Sequence, residues 1–268
     1  MTTKEKPLGG RTAVVTGASR GIGKAIALAL ADAGADVAIL SRSAKEITLV
    51  QNAIEGCGVR CLAEECDVTD NQRLEKFIER CAERLSPPAI LINNAGVYST
   101  QPLIHRSPNL MEIWQQTLNT NLTAAMWATK CVLPDMIRVG WGRVVNISSI
   151  SGKAGEQFGS AYSASKFGMI GLTQSVALEV AKMGITVNAV CPGWVDTEMA
   201  IKQLTDEKWC KLNDVPVNES IEIARMSVPH GRLIQPEEVA SLVVFLCGND
   251  AGSITGQAIN ICGGLSLH

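Results

Sequence analysis

The sequence carries almost no excess of one charge. Its 24 Lys and Arg stand against 26 Asp and Glu in 268 residues, a net charge of −2 at pH 7. The basic residues are scattered, so the chain offers neither a nucleic-acid face nor a patch for an anionic membrane. Aromatics are scarce at 4%, against 46% hydrophobic residues overall, so Val, Ile, Leu and Ala must do the packing. No apolar run approaches the length needed to span a bilayer. The opening Met-Thr-Thr-Lys-Glu-Lys-Pro is polar and has no apolar core for a secretory signal. No Pro-, Gly- or Ser-rich linker, internal repeat or low-complexity segment interrupts the chain, which reads as one domain over 1–268.

Histidine is also rare. His105, His230 and His268 are dispersed, and none stands near the cluster Cys57, Cys61 and Cys66, so no metal set is expected. The nine cysteines include no C-x-x-C pair, and nine is an odd number in a chain too large to need staples. They read as small hydrophobes in a reducing compartment, which points to a cytoplasmic location.

What is present is a steady alternation of short apolar runs and amphipathic stretches. Strands are expected at 11–16, 36–41, near 60–65, and at 89–93, 142–148, 185–191 and 257–262. Helices are expected from 24 to about 33, 43–55, 70–85, 108–137, from Tyr162 to about 183, and 236–247. Alternating units of this kind predict an α/β fold: a single-domain doubly wound parallel sheet with helices on both faces. Ligands bind at the carboxyl edge of such sheets. The long excursion 194–231, with Trp194, Met199, Trp209 and Met226, leaves that edge and is expected to cover the ligand.

The first turn is Gly17-Ala-Ser-Arg-Gly21-Ile-Gly23, between a strand and a strong helix. That context turns a weak glycine pattern into an expectation of dinucleotide binding. Gly17 permits the tight turn, Gly21 lets backbone approach a pyrophosphate, and Gly23 lets helix pack on strand. Ser19 and Ile22 complete the loop, and the helix N-terminus supplies free N–H groups to phosphate. A plain tight turn is the competing reading. The second strand ends in Ser41-Arg42 where an NAD site usually carries an acid for the ribose 2′-hydroxyl. Ser41 removes a repulsion toward a 2′-phosphate, and Arg42 and Arg20 add attraction, so NADP is expected over NAD. Asp67, followed by Val68, either accepts from an adenine amino group or serves as a cap or turn residue. Asn94, Ala95 and Gly96 end the fourth strand with small and amide residues that allow close cofactor approach. Asn121 interrupts a helical pattern, where an Asn can loosen the backbone ladder and admit a water.

Tyr162 and Lys166 sit four apart on one helical face, and Ser149 ends a strand 13 residues before Tyr162. A neighbouring ammonium should lower the phenol's pKa from about 10, and a Ser hydroxyl can hold a substrate oxygen against it. Alone, Y-x-x-x-K also describes an ordinary amphipathic helix.

The features coincide in order: Thr16-Gly17-x-x-x-Gly21-x-Gly23, Asn93-Asn94-Ala95-Gly96, Asn121, Ser149, Tyr162-x-x-x-Lys166 and Pro192-Gly193-x-Val195-x-Thr197. From about Leu8 to Gly264 the chain resembles the short-chain dehydrogenase/reductase family, with its Rossmann fold. The resemblance implies Tyr162 as general acid/base, Lys166 lowering its pKa and binding the nicotinamide ribose, Ser149 orienting the substrate oxygen, and Asn121 holding a water in a proton relay. It places the Pro192–Thr197 turn (Pro192, Gly193, Val195, Thr197) along the nicotinamide. With NADPH as the cofactor, it also implies carbonyl reduction as the direction, and a homotetramer. The segments Ala181–Gly193 and Asn260–Leu265 resemble 3-oxoacyl-carrier-protein reductases and polyketide ketoreductases, hence an acyl-thioester substrate carried by a carrier protein. Fatty-acid enzymes tend to carry Arg where Met183 and Gly140 stand; Arg138 and Lys182 lie next door. A dehydrogenase of a small cyclic or secondary alcohol and a non-catalytic NADP-binding regulator are the other readings. The full set of Asn121, Ser149, Tyr162 and Lys166 argues against the regulator.

Overall fold

The computed structural model describes residues 6–267. The polar start of the chain and His268 lie outside the described residues. The element order is β1 (Thr12–Thr16), α1 (Gly21–Asp32), β2 (Asp36–Ser41), α2 (Ala44–Gly56), β3 (Cys61–Glu65), α3 (Asn71–Arg84) and β4 (Ile90–Asn93). It continues with α4 (Leu110–Leu118), α5 (Ala124–Val139), β5 (Gly142–Ile147), α6 (Ser160–Val180) and β6 (Ile185–Pro192). Then come α7 (Glu198–Leu204), α8 (Glu207–Leu212), α9 (Ser220–Ser227), α10 (Pro236–Cys247) and β7 (Ala258–Ile261).

All seven strands are parallel, in the order β3-β2-β1-β4-β5-β6-β7. Both faces of the sheet are covered, and the period of two along each strand divides the core. Ala13, Val15, Val37, Ile39, Ile90 and Ile92 pack with α1, α2 and α10. Their neighbours Val14, Ala38, Leu40 and Leu91 pack on the other face with α3, α5 and α6. This explains why the strands read as unbroken apolar runs rather than as alternation. The chain winds outward in one direction from β1 and in the other from β4. The crevice between those two strands is where a doubly wound sheet takes its ligand.

The helix expected over 108–137 is interrupted. A π-helical turn over Asn119–Thr123 separates α4 from α5, at the Asn pair that the sequence marks as a weak point in the ladder. The helix expected to end near 183 ends at Val180, followed by a 3₁₀ turn over Ala181–Met183.

The 194–231 segment folds as three short helices around a small core that also takes in Leu233. Leu204, Ala224 and Leu233 are buried together with Trp194, Ile201, Trp209 and Ile221 against them. The Trp194 and Trp209 rings meet edge to face at 6.2 Å. Met199 and Met226 remain exposed, at 46% and 76%. Among the described helices none is long and apolar enough to cross a membrane.

Candidate active site

The carboxyl ends of β1, β2, β4, β5 and β6 open into one cleft of about 430 Å³. Its first wall is the loop between β1 and α1. Gly17 has a φ of +66°, and a Cβ there would lie 2.9 Å from the Ala95 Cα. A Cβ at Gly23 would lie 2.3 Å from both the Asn94 Nδ2 and the Gly17 carbonyl oxygen. Neither place has room for a side chain, so the loop lies flat on β4. Asn94 locks it there, its Nδ2 donating to the carbonyls of Thr16 at 2.9 Å and Gly17 at 3.0 Å. The α1 N-terminus has no side-chain cap, whereas Ser43 and Asp70 cap α2 and α3. Free N–H groups and the positive end of a dipole therefore face the cleft beside Ser19, Gly21 and Ile22. The cradle fits a pyrophosphate.

Ser41, Arg42, Asp67 and Val68 line the far corner. The Ser41 hydroxyl accepts from the Ser43 N–H at 3.2 Å, which leaves Arg42 exposed at the strand end. Asp67 accepts from the N–H and hydroxyl of Thr69, at 2.9 and 2.8 Å. Of its two expected roles it fills that of turn residue, and it lines the cleft as well; Asp70 is the helix cap. Arg20 pairs with Glu198 across the mouth at 2.9 Å, both side chains well exposed. Such a pair contributes at most about 1 kcal/mol and exchanges readily.

Ser149, Tyr162 and Lys166 form the opposite wall, with Gly96 and the Pro192–Thr197 turn between. Lys166 is buried and its Nζ donates to the Ile147 carbonyl at 2.7 Å. That Nζ lies 5.5 Å from the Tyr162 ring centroid. The structure corrects one expectation here. The Tyr162 phenol is held above its ordinary pKa, not below it, because burial and then the Glu156 carboxylate disfavour the phenolate. The Ser149 hydroxyl opposes this by hydrogen bonding, but does not outweigh it. Burial also brings Lys166 down to about 8. The enclosure works against separated charge on both groups, so near neutrality the phenol keeps its proton.

Asn121 does not line the cleft. It is fully buried behind it. Its Oδ1 accepts from the Val97 N–H at 2.8 Å, and its Nδ2 donates to the Val97 carbonyl and to Ser165 Oγ, each at 3.0 Å. It fixes the Val97 segment that follows β4 to the α6 helix that carries Tyr162 and Lys166. Sequence reading missed Gln203 and Glu46, which line the cleft, and Tyr98, whose ring meets Tyr162 at 5.2 Å. Gln203 and Tyr98 belong to no periodic pattern. A carboxylate at Glu46, so near Arg42, was the available signal for its own position.

The short chain dehydrogenase family model matches residues 11–208. The chain belongs to the short-chain dehydrogenase family. It is therefore an oxidoreductase acting on CH–OH/C=O groups. A solved structure of a tryptophan variant of actinorhodin polyketide ketoreductase with NADPH superposes with a TM-score of 0.90. The two are 38% identical, over 96% of this chain and 98% of that one. The D-beta-hydroxybutyrate dehydrogenase of Rhizobium meliloti (strain 1021) is 37% identical, over 95% of this chain and 98% of its own. The 3-oxoacyl-(acyl-carrier-protein) reductase of Pseudomonas aeruginosa is 36% identical, over 97% and 99%.

Proposed function

We propose that this short-chain dehydrogenase is an NADPH-dependent carbonyl reductase whose substrate is a 3-oxoacyl thioester. The observation that carries the reading is the juxtaposition of the Ser149 hydroxyl, a protonated Tyr162 phenol and the buried Lys166 on the wall facing the glycine cradle. When bound, NADPH supplies the hydride. Gly17, Ser19, Gly21, Ile22, Gly23 and the α1 N-terminus would hold its pyrophosphate. Ser41, Arg42 and Arg20 would receive the 2′-phosphate. Asp67, Val68, Asn94, Ala95 and Gly96 would serve the adenosine side, and Lys166 the nicotinamide ribose. Pro192, Gly193, Val195 and Thr197 would serve the nicotinamide.

Ser149 holds the substrate oxygen, and Tyr162 gives it a proton. Reduction draws on the protonated phenol, the form that burial keeps near neutrality. Asn121 braces the Val97 segment and supports the relay that returns a proton to Tyr162. The 194–231 segment covers the acyl group as part of one domain. We further infer a cytoplasmic homotetramer and a thioester delivered on a carrier protein. Arg138, bonded to Asp135 at 2.8 Å, and Lys182 stand just before β5 and β6, at the amino edge of the sheet rather than at the cleft. The chemistry favours a 3-oxo substrate because the named acyl reductase and the hydroxybutyrate enzyme both act at the third carbon.

The test is steady-state reduction of a 3-oxobutanoyl thioester and of simple cyclic ketones, with NADPH and NADH. Higher efficiency with NADPH on the thioester supports the reading. Equal or better efficiency with NADH would overturn the cofactor assignment. Preference for the cyclic ketones would make the enzyme a small-alcohol dehydrogenase. Tight NADPH binding with no turnover would make it a regulator.

A further inference from the structure

Glu156 lies in the turn between β5 and α6, and every polar atom it owns is engaged. Its N–H donates to Ser163 Oγ at 2.9 Å and its carbonyl accepts from Gly159 at 3.1 Å. Its Oε2 accepts from Ser151 Oγ at 2.8 Å, and its Oε1 from Gln203 Nε2 at 2.7 Å. Ser151 bonds back to Ser149 Oγ at 3.0 Å, and Ser163 follows Tyr162 in the chain. Gln203 stands on α7 and lines the cleft. One carboxylate thus joins the wall that holds Ser149 and Tyr162 to the helix that covers it.

The surroundings are shaped around this side chain. A Cβ at Gly159 would come within 3.3–3.4 Å of three Glu156 side-chain atoms. Phe158 holds a φ of +62° while its carbonyl accepts from the Gln101 N–H at 2.7 Å. A non-glycine residue in that region is strained and persists only where the structure over-determines it. Glu156 makes no ion pair among the described residues. Lys166 in the cleft wall bonds the Ile147 carbonyl, and Lys208 bonds that of Thr100. The Glu156 charge is felt at both tyrosines of the site, Tyr162 and Tyr98.

We propose that Glu156 is a positioning and specificity-determining residue, holding α7 down through Gln203 and disfavouring substrates that bring a carboxylate of their own. The proposal rests on the carbonyl-reductase reading. A free 3-oxo acid carries its carboxylate two bonds from the reacting carbon, so with its oxygen on Ser149 the charge comes close to the wall that Glu156 reaches through Ser151 and Gln203. An ester or thioester of the same acid is neutral there. Like charges a few ångströms apart in a partly solvated site separate the two affinities by about tenfold or more.

The experiment measures binding and turnover separately. Binding of 3-oxobutanoate and of its methyl ester is followed by Trp194 and Trp209 fluorescence in the full-length protein with NADP⁺. Turnover of the same pair is followed with NADPH. Wild type should prefer the ester at least about tenfold, and Glu156→Gln should shrink that ratio about tenfold, chiefly by tightening the acid. Gln203→Leu keeps the charge and removes the tie, so both ligands should weaken while their ratio stays. An unchanged ratio in Glu156→Gln, or a ratio that moves equally in Gln203→Leu, overturns the proposal. If Glu156→Gln does not fold, a wild type that binds the acid as tightly as the ester overturns it. Failure of wild type to reduce the ester would end the reductase reading, and the binding ratios would still decide this one.

Discussion

At the glycine-loop end of the cleft, backbone and short amides do the holding; at the 194–231 end, long side chains do. Gly17, Gly23 and Asn94 interlock with no spare space, and a single added carbon at Gly23 would meet atoms at 2.3 Å. Around α7 the contacts are Gln203 to Glu156, Lys208 to Thr100 and the exposed pair Arg20–Glu198. Backbone contacts leave one arrangement, whereas long side chains can let go and re-form. The cofactor-shaped end should therefore respond to mutation as a rigid part of the fold, and the covering end as an adjustable one.

Tyr162 stands where the two ends meet and should show the largest effect. Tyr162→Phe is expected to cut carbonyl turnover by about 10³-fold while NADPH affinity changes little. Equal losses in rate and in cofactor binding would show that the two ends are not separable there. The next effect comes from the charge beside it. Lys166 is lowered to about 8 by burial, against an unfolded value of about 10.4. Between those values the unfolded chain binds more protons, so this residue's contribution to stability rises with pH through that window. The penalty below it is on the order of 3 kcal/mol. Thermal melts of wild type and Lys166→Met should therefore converge in the wild type's favour from pH 8 to 10. Parallel curves would mean that the ammonium is not strained by its surroundings.

Gly23→Ala sharpens the contrast directly. Forcing a methyl into the loop should cost about 1–3 kcal/mol and weaken cofactor binding in the same protein, read by melting temperature and by NADPH titration. Met226→Ser, on a side chain 76% exposed, should change stability by less than about 0.5 kcal/mol. A large stability loss at Met226, or none at Gly23, would reverse the comparison.

The same contrast explains what the sequence made legible. The sheet, its winding and the cradle could be read because strand period, helix pattern and the steric need for glycine are local properties. Asn121 could be read as a weak point because an amide in mid-helix competes with the ladder, and the π-turn sits there. The direction of the Tyr162 shift could not be read. It depends on burial and on Glu156, which no four-residue motif encodes. Nor could the tie between Glu156 and Gln203, since its partners are 47 residues apart and neither lies on a periodic face. The helices within 194–231 follow the same rule: their core of Leu204, Ala224 and Leu233 is assembled from three separate pieces.

The central claim is that this cleft moves a hydride from NADPH to a ketone carbon while Tyr162 protonates its oxygen. The most direct measurement uses NADPH deuterated at the transferring position of the nicotinamide C4, with a 3-oxobutanoyl thioester and mass analysis of the product. The account predicts one deuterium at the third carbon of a 3-hydroxy product for each NADPH consumed, and no such product from Tyr162→Phe. Product without the label, or labelled product formed as fast by Tyr162→Phe as by wild type, would contradict it.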